Sequence, residues 1–223
     1  MHTEGSNAEA LYRRLLSRWE ATLPGQQQIA EGLLTRYAEP HRHYHTPTHL
    51  ARVLHMIDDL AEDQDLFLVR LAAWFHDAVY AIPSGQVSNE EASARLAIRE
   101  LGRAGLEQED LTQVVRLVRL TASHTPGSRD PEGELLCDAD LSILAASPAE
   151  YVAYAAAIRK EYAAIPEEVF LAGRLQVLTS LSEGEIFRTI KGRALTEAAR
   201  TNLTAECAAL QNRLNQLVQG STS

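Results

Sequence analysis

Apolar residues recur every three to four positions along most of this chain, and no stretch shows the strict alternation of a half-buried strand. Leu11, Leu15, Leu16 and Trp19 mark a first amphipathic helix over about 8–22. After Leu23, Pro24 and Gly25 a second helix runs to about Tyr37 and stops before Pro40, and 39–47 reads as a loop with a proline near each end. Thr46 and Pro47 supply an N-cap and a first-turn proline, which predicts a helix from there to about Ala61. Asp65 opens the next, which carries His76 and Asp77 near its C-terminal end. Residues 82–85 form a loop, and Ser88 with Glu91 has the capping-box spacing that starts a helix ending near Gly105. Further helices are predicted over about 109–123, about 134–145, from the Ser147-Pro148 cap to Ala164, from Pro166 to about Leu181, and from about Leu195 to Val218. The expected fold class is all-α, a compact bundle of about nine or ten helices.

Composition narrows the partners. The chain has 223 residues, enough for a substantial core, and no composition shift divides it. A formal charge of −9, with 19 arginines against only Lys160 and Lys191, argues against nucleic acid or an anionic membrane as partner. Cys137 and Cys207 lack metal-type spacing and read as reduced thiols of a cytoplasmic protein. No signal pattern and no apolar run of the roughly 20 residues needed to cross a bilayer is present. Homo-oligomerisation is compatible with the sequence but not specified by it.

The chemistry lies in polar residues placed where apolar ones belong. His76 and Asp77 stand within the run Leu71, Ala72, Trp74, Phe75 and Val79. A carboxylate buried there costs several kcal/mol unless something pairs with it. Asp140 poses the same problem before Ile143 and Leu144, whereas Asp138 fits a charge favoured by a helix N-terminus. His45 and His49 are four apart at a helix entrance and so share a face. Each feature alone has an ordinary structural explanation; together they predict one site. Two imidazoles and two carboxylates suit Mn, Co, Fe, Zn or Ni as a divalent cofactor.

The order His49, His76-Asp77, Asp140 resembles the signature of the HD superfamily of metal-dependent phosphohydrolases. His49 is followed by Val53 in the His-x-x-x-Val pattern, the His-Asp pair follows Ala72, Ala73, Trp74 and Phe75, and Asp140 follows Ala139. The likeness covers about 40–145. Outside it, Arg42 to His45, Phe170 to Arg174 and Ala199 to Leu203 look like a bacterial branch of predicted HD phosphohydrolases. The resemblance implies one HD-like helical domain over 1–223, with a metal-site core at about 40–145 and a C-terminal helical part at about 148–218. It implies His49, His76, Asp77 and Asp140 as metal ligands, with His45 and His124 as contacts to a second metal or to phosphate. Tyr80 stands where the nucleotidase-like branch has a glutamate, and Asn89-Glu90 where another branch has His-Glu.

The leading expectation is a metal-dependent phosphohydrolase acting on a small phosphorylated metabolite, a nucleotide by preference, at a monoester or pyrophosphate bond. Asp77 is then catalytic through the metal, and Glu90 serves as general base or acid. Arg42, His43 and Asn89 contact substrate, Arg42 by offering its planar fork to phosphate. Glu91 is assigned to the helix cap. Two other classes fit the same residues: a di-iron HD-type oxygenase using His45 and His124, and a non-catalytic HD module that binds metal or nucleotide.

Overall fold

The computed structural model describes residues 2–221, with side chains over 5–219. Within these residues it is all-helical, with no strand. Ten α-helices follow in order: α1 His2–Thr22, α2 Gln27–Tyr37, α3 Pro47–Leu60, α4 Phe67–Phe75, α5 Asn89–Arg103, α6 Gln108–Leu120, α7 Pro131–Leu141, α8 Pro148–Glu161, α9 Glu167–Glu183 and α10 Thr196–Ser221. Short 3₁₀ turns extend α7 over Ser142–Ala145 and precede α10 over Gly192–Leu195. No single helix among the described residues is long and apolar enough to cross a membrane.

Local signals set most helix starts, and their departures affect the site. α8 opens on a complete capping box between Ser147 and Glu150, with Pro148 in its first turn. Ser88 caps α5 by accepting the Glu91 N–H, but Glu91 does not close the box, because its carboxylate bridges Arg95 and Arg119 instead. α7 begins earlier than the predicted 134: Asp130 accepts the Gly133 N–H at 3.0 Å and Pro131 follows. Thr46 precedes α3 in extended backbone, but its hydroxyl turns to Tyr44 O rather than capping the helix. α4 stops at Phe75, so His76 is its C-cap and Asp77 lies in the turn beyond, where sequence periodicity had carried the helix through both.

Two apolar clusters result. The larger joins α1–α7 around Trp19, Trp74, Phe75, Leu54 and Leu101, with Trp19 and Trp74 edge to face at 5.1 Å. The second packs the 3₁₀ turn after α7 against α8–α10, through Leu144, Tyr151, Leu178, Phe187 and Leu203. Asn202 fastens the seam, donating from α10 to Leu144 O and Ala146 O at 2.9 Å each.

Asp138 is a main bolt between the two clusters, not a first-turn charge. It is fully buried, and its carboxylate accepts from Arg188 N, Thr189 N at 2.8 Å and Thr189 Oγ1 at 2.7 Å. Burial raises its pKa even so. Gly192 closes over this bolt: a Cβ there would overlap Asp138 Oδ2 and stand 2.6 Å from Thr189 Oγ1. Gly192→Ala is therefore expected to cost about 1–3 kcal/mol by overpacking, a fall in Tm of roughly 3–10 °C. Thermal unfolding followed by circular dichroism checks this, and an unchanged Tm refutes the tight closure.

Candidate metal centre

Three segments of the larger cluster deliver the candidate ligands to one point. α3 presents His49 from its first turn, the end of α4 presents His76 and Asp77, and the end of α7 presents Asp140. His76 Nε2 lies 2.9 Å from Asp77 Oδ2 and 3.6 Å from Asp140 Oδ1. His49 Nε2 lies 3.3 Å from each of the same two oxygens and 3.1 Å from His76 Nε2. His49, His76 and Asp77 form a group that could hold a metal ion. The imidazoles are sealed at 1% exposure, but Asp77 and Asp140 keep 15% and 14% of their side-chain surface open. The group is therefore open to the outside only on its carboxylate side. There a cleft of about 690 Å³ opens past Tyr44, His45, His124 and Asp140.

The donor chemistry fits a cation. His76 Nδ1 lies 2.8 Å from Ala73 O, which places the proton on Nδ1 and leaves the Nε2 lone pair aimed at the group. His49 Nε2 faces that lone pair, and two imidazole nitrogens at this separation need a proton or a metal between them. Burial pulls the His76 pKa down, but Asp77 and Asp140 lift it well above the usual histidine range. Burial likewise pushes the Asp77 carboxyl up, yet His76, His45 and the hydrogen bonds from His49 and His76 hold it well below the carboxylate range. Asp140 behaves the same way under His76 and His124. Without a metal, protons on the histidines offset the two carboxylates; a divalent ion would replace them. His49 Nδ1 is buried without a partner, so this ring lacks the outer acceptor that His76 has.

His45 and His124 flank the group. His45 Nε2 lies 3.9 Å from Asp77 Oδ2, while its Nδ1 lies 2.7 Å from Glu161 Oε2. Glu161, at the end of α8, also accepts the N–H groups of His43, Tyr44 and His45 at 2.7, 2.7 and 3.0 Å. Sequence reasoning missed it. Burial pushes this carboxyl up, but the His45 contact and the backbone donors bring it down to about 2. A charged Glu161 keeps the His45 proton on Nδ1 and so frees Nε2 toward Asp77. Tyr80 stacks on the His45 ring with centroids 4.1 Å apart. His124 sits in left-handed backbone at φ 48° just past α6, and its Nε2 lies 2.8 Å from Asp140 Oδ2.

Two of the three expected substrate contacts, Arg42 and Asn89, have other tasks. Arg42 is fully enclosed and donates to Asp77 O at 2.6 Å, Ala78 O at 3.2 Å and His45 O at 3.3 Å, with Glu39 on Nε at 3.1 Å. Tyr37 and Tyr80 lie over its guanidinium at 5.3 and 5.6 Å. It has no fork left for a phosphate; it clamps the turn that carries Asp77. Asn89 spends its amide on Ala81, accepting from N at 3.1 Å and donating to O at 3.2 Å, which pins the 81–88 loop. The His43 side chain is exposed, and its backbone N–H belongs to Glu161. Glu90 is half-buried in the first turn of α5, where its charge raises the Tyr162 phenol together with burial and Glu161.

Arg42→Lys is accordingly expected to loosen the metal turn. One ammonium cannot reach three carbonyls spread across two segments, and a lost buried charged hydrogen bond costs about 1.5–3 kcal/mol. Retained metal should fall along with Tm; metal analysis beside thermal unfolding decides, and a pure rise in KM would restore the phosphate-fork role.

No family model, curated protein or solved structure matches the chain.

Proposed function

We propose that the protein is an HD-type, metal-dependent phosphohydrolase acting on a small phosphorylated metabolite. The observation that carries this is that His49 Nε2 and His76 Nε2 each stand 2.9–3.6 Å from an oxygen of Asp77 and one of Asp140, with the carboxylates open to a cleft. A divalent transition metal in such a site polarises a phosphoryl oxygen and acidifies a bound water. His49, His76, Asp77 and Asp140 would hold it, and His45 Nε2, with its proton parked on Nδ1 by Glu161, offers a further lone pair beside Asp77. His124 steers Asp140 and can donate to an anionic oxygen at the cleft. Glu90 is the carboxylate proposed to take the proton of the attacking water.

The deciding experiment is phosphate release from a panel of phosphometabolites by protein loaded in turn with Mn, Co, Fe, Zn and Ni. Release with one of these metals, lost on chelation, supports the reading; no release with any overturns it. Glu90→Gln should then lower kcat by about 10²-fold or more with metal content unchanged. Near-normal turnover would return Glu90 to an ordinary first-turn charge.

The two flanking imidazoles also favour a second reading, a di-iron oxygenase. His45 and His124 stand beside Asp77 and Asp140, on which a second ion would depend. Two irons per chain with a visible absorption band, and no phosphate release, would favour it.

A further inference from the structure

We propose that the cleft at the metal centre takes a phosphomonoester with a single phosphate and an uncharged, largely apolar or aromatic body, and discriminates against pyrophosphates, nucleoside triphosphates and bisphosphates. This rests on the phosphohydrolase reading and narrows it. The cleft measures about 690 Å³, a volume suited to one small organic ligand. His45, His124 and Asp140 line it beside the metal group, where the phosphate belongs. Tyr44 and Tyr154, edge to face with centroids 4.6 Å apart, stand on the wall beyond, and Leu144, Val177 and Leu181 continue it.

A second phosphate needs a second counter-charge, and the cleft has none to give. Arg174 is its one lining arginine or lysine among the described residues. That guanidinium is already committed: Nε lies 3.0 Å from Glu206 Oε1, and Nη2 lies 3.2 Å from Glu206 Oε2 and 3.1 Å from Tyr154 Oη. Only 11% of the Arg174 side chain is exposed, and its charge is paired with that of Glu206. Arg42, the nearest arginine in sequence, is sealed behind Asp77. The carboxylates of Asp77, Asp140 and, behind His45, Glu161 also stand at this end, and they repel any anion that the metal does not directly hold. Ser123, Gln176 and Ser180 supply uncharged polar groups, suited to hydroxyls on the ligand body.

Binding separates this from catalysis. Mn²⁺-loaded protein is titrated calorimetrically with three non-hydrolysable probes: methylphosphonate, benzylphosphonate and 2-carboxyethylphosphonate. Benzylphosphonate should bind about tenfold or more tighter than methylphosphonate, the effect of burying one aromatic ring. The carboxyethyl probe should bind no better than the methyl one. Val177→Lys, at a half-exposed position of the cleft wall away from the metal group, should improve the carboxyethyl probe at least threefold relative to methylphosphonate. Equal affinities, a preference for the added carboxylate, or no binding of any probe overturns the proposal. Phosphate release from naphthyl phosphate and from pyrophosphate is measured beside it. Release from pyrophosphate alone sinks this inference and keeps the hydrolase reading. The expected binding order with no release from naphthyl phosphate, pyrophosphate or any phosphometabolite of the panel under any of the five metals keeps the cleft's ligand class and sinks the hydrolase.

Discussion

Asp77→Ala is expected to purify as a folded helical protein that retains less than about a tenth of the wild-type metal and hydrolyses nothing measurable. The Asp77 side chain meets His49 of α3, His76 at the end of α4 and, at longer range, His45 of the preceding loop. What the fold uses at this position is the backbone carbonyl, which accepts from Arg42 at 2.6 Å and survives the substitution. Removing the carboxylate removes its own burial cost but leaves His49 and His76 without a counter-charge, so the helices should persist with a lower Tm. Metal affinity has no such protection. Outer partners of metal ligands typically contribute about 10–100-fold in affinity, and an inner carboxylate shared by two or three imidazoles contributes more. Metal analysis after gel filtration, with far-ultraviolet circular dichroism on the same sample, tests both halves. Wild-type metal content in Asp77→Ala would show that the aspartate is not a ligand; loss of helicity would show that the turn depends on it.

The helices and most of this group could be read from the sequence because burial imposes a pattern on residue type. His76, Asp77 and Asp140 stood out as polar residues in apolar runs, and the structure brings their side chains together. Periodicity failed at the end of α4. His76 and Asp77 continue the apolar spacing, yet the chain leaves the helix there because Arg42, from a distant loop, captures the carbonyls of Asp77 and Ala78. Arg42 itself was misread for a simple reason. A loop arginine beside histidines looks the same whether its donors face a phosphate or backbone carbonyls, and only three-dimensional proximity separates the two. Glu161 was a legible omission, and Asp138 a legible misassignment. Tyr151, Tyr154, Ile158 and Glu161 fall three, four and three residues apart along α8, so Glu161 occupies the inward stripe of its helix. Asp138 likewise lies between Leu136 and Ala139 in a helix buried on most sides. The test for buried carboxylates that singled out Asp77 would have found both.

Glu161→Gln carries the second large effect, and its form follows from the four hydrogen bonds the carboxylate accepts. An amide keeps one oxygen, which can stay with the N–H groups of His43, Tyr44 and His45. Its other atom becomes an NH₂ group facing His45 Nδ1, where two donors cannot meet. His45 must then accept at Nδ1 and carry its proton on Nε2, pointed at Asp77 across 3.9 Å. The lone pair that faced the metal group is gone although no ligand has been deleted. Activity should fall by about 10–100-fold, the usual scale for an outer partner of a ligating histidine, with Tm nearly unchanged. Nitrogen-15 shifts of the His45 ring should report the exchange of tautomers, which a merely structural role for Glu161 would not produce. Glu161→Ala is the contrasting variant. It leaves three backbone donors of the 43–45 segment without their acceptor, at about 1–3 kcal/mol for each that stays buried, so it should lower Tm as well as activity. Wild-type turnover and an unchanged His45 tautomer in Glu161→Gln would mean that the C-terminal helices hold the loop without tuning its chemistry.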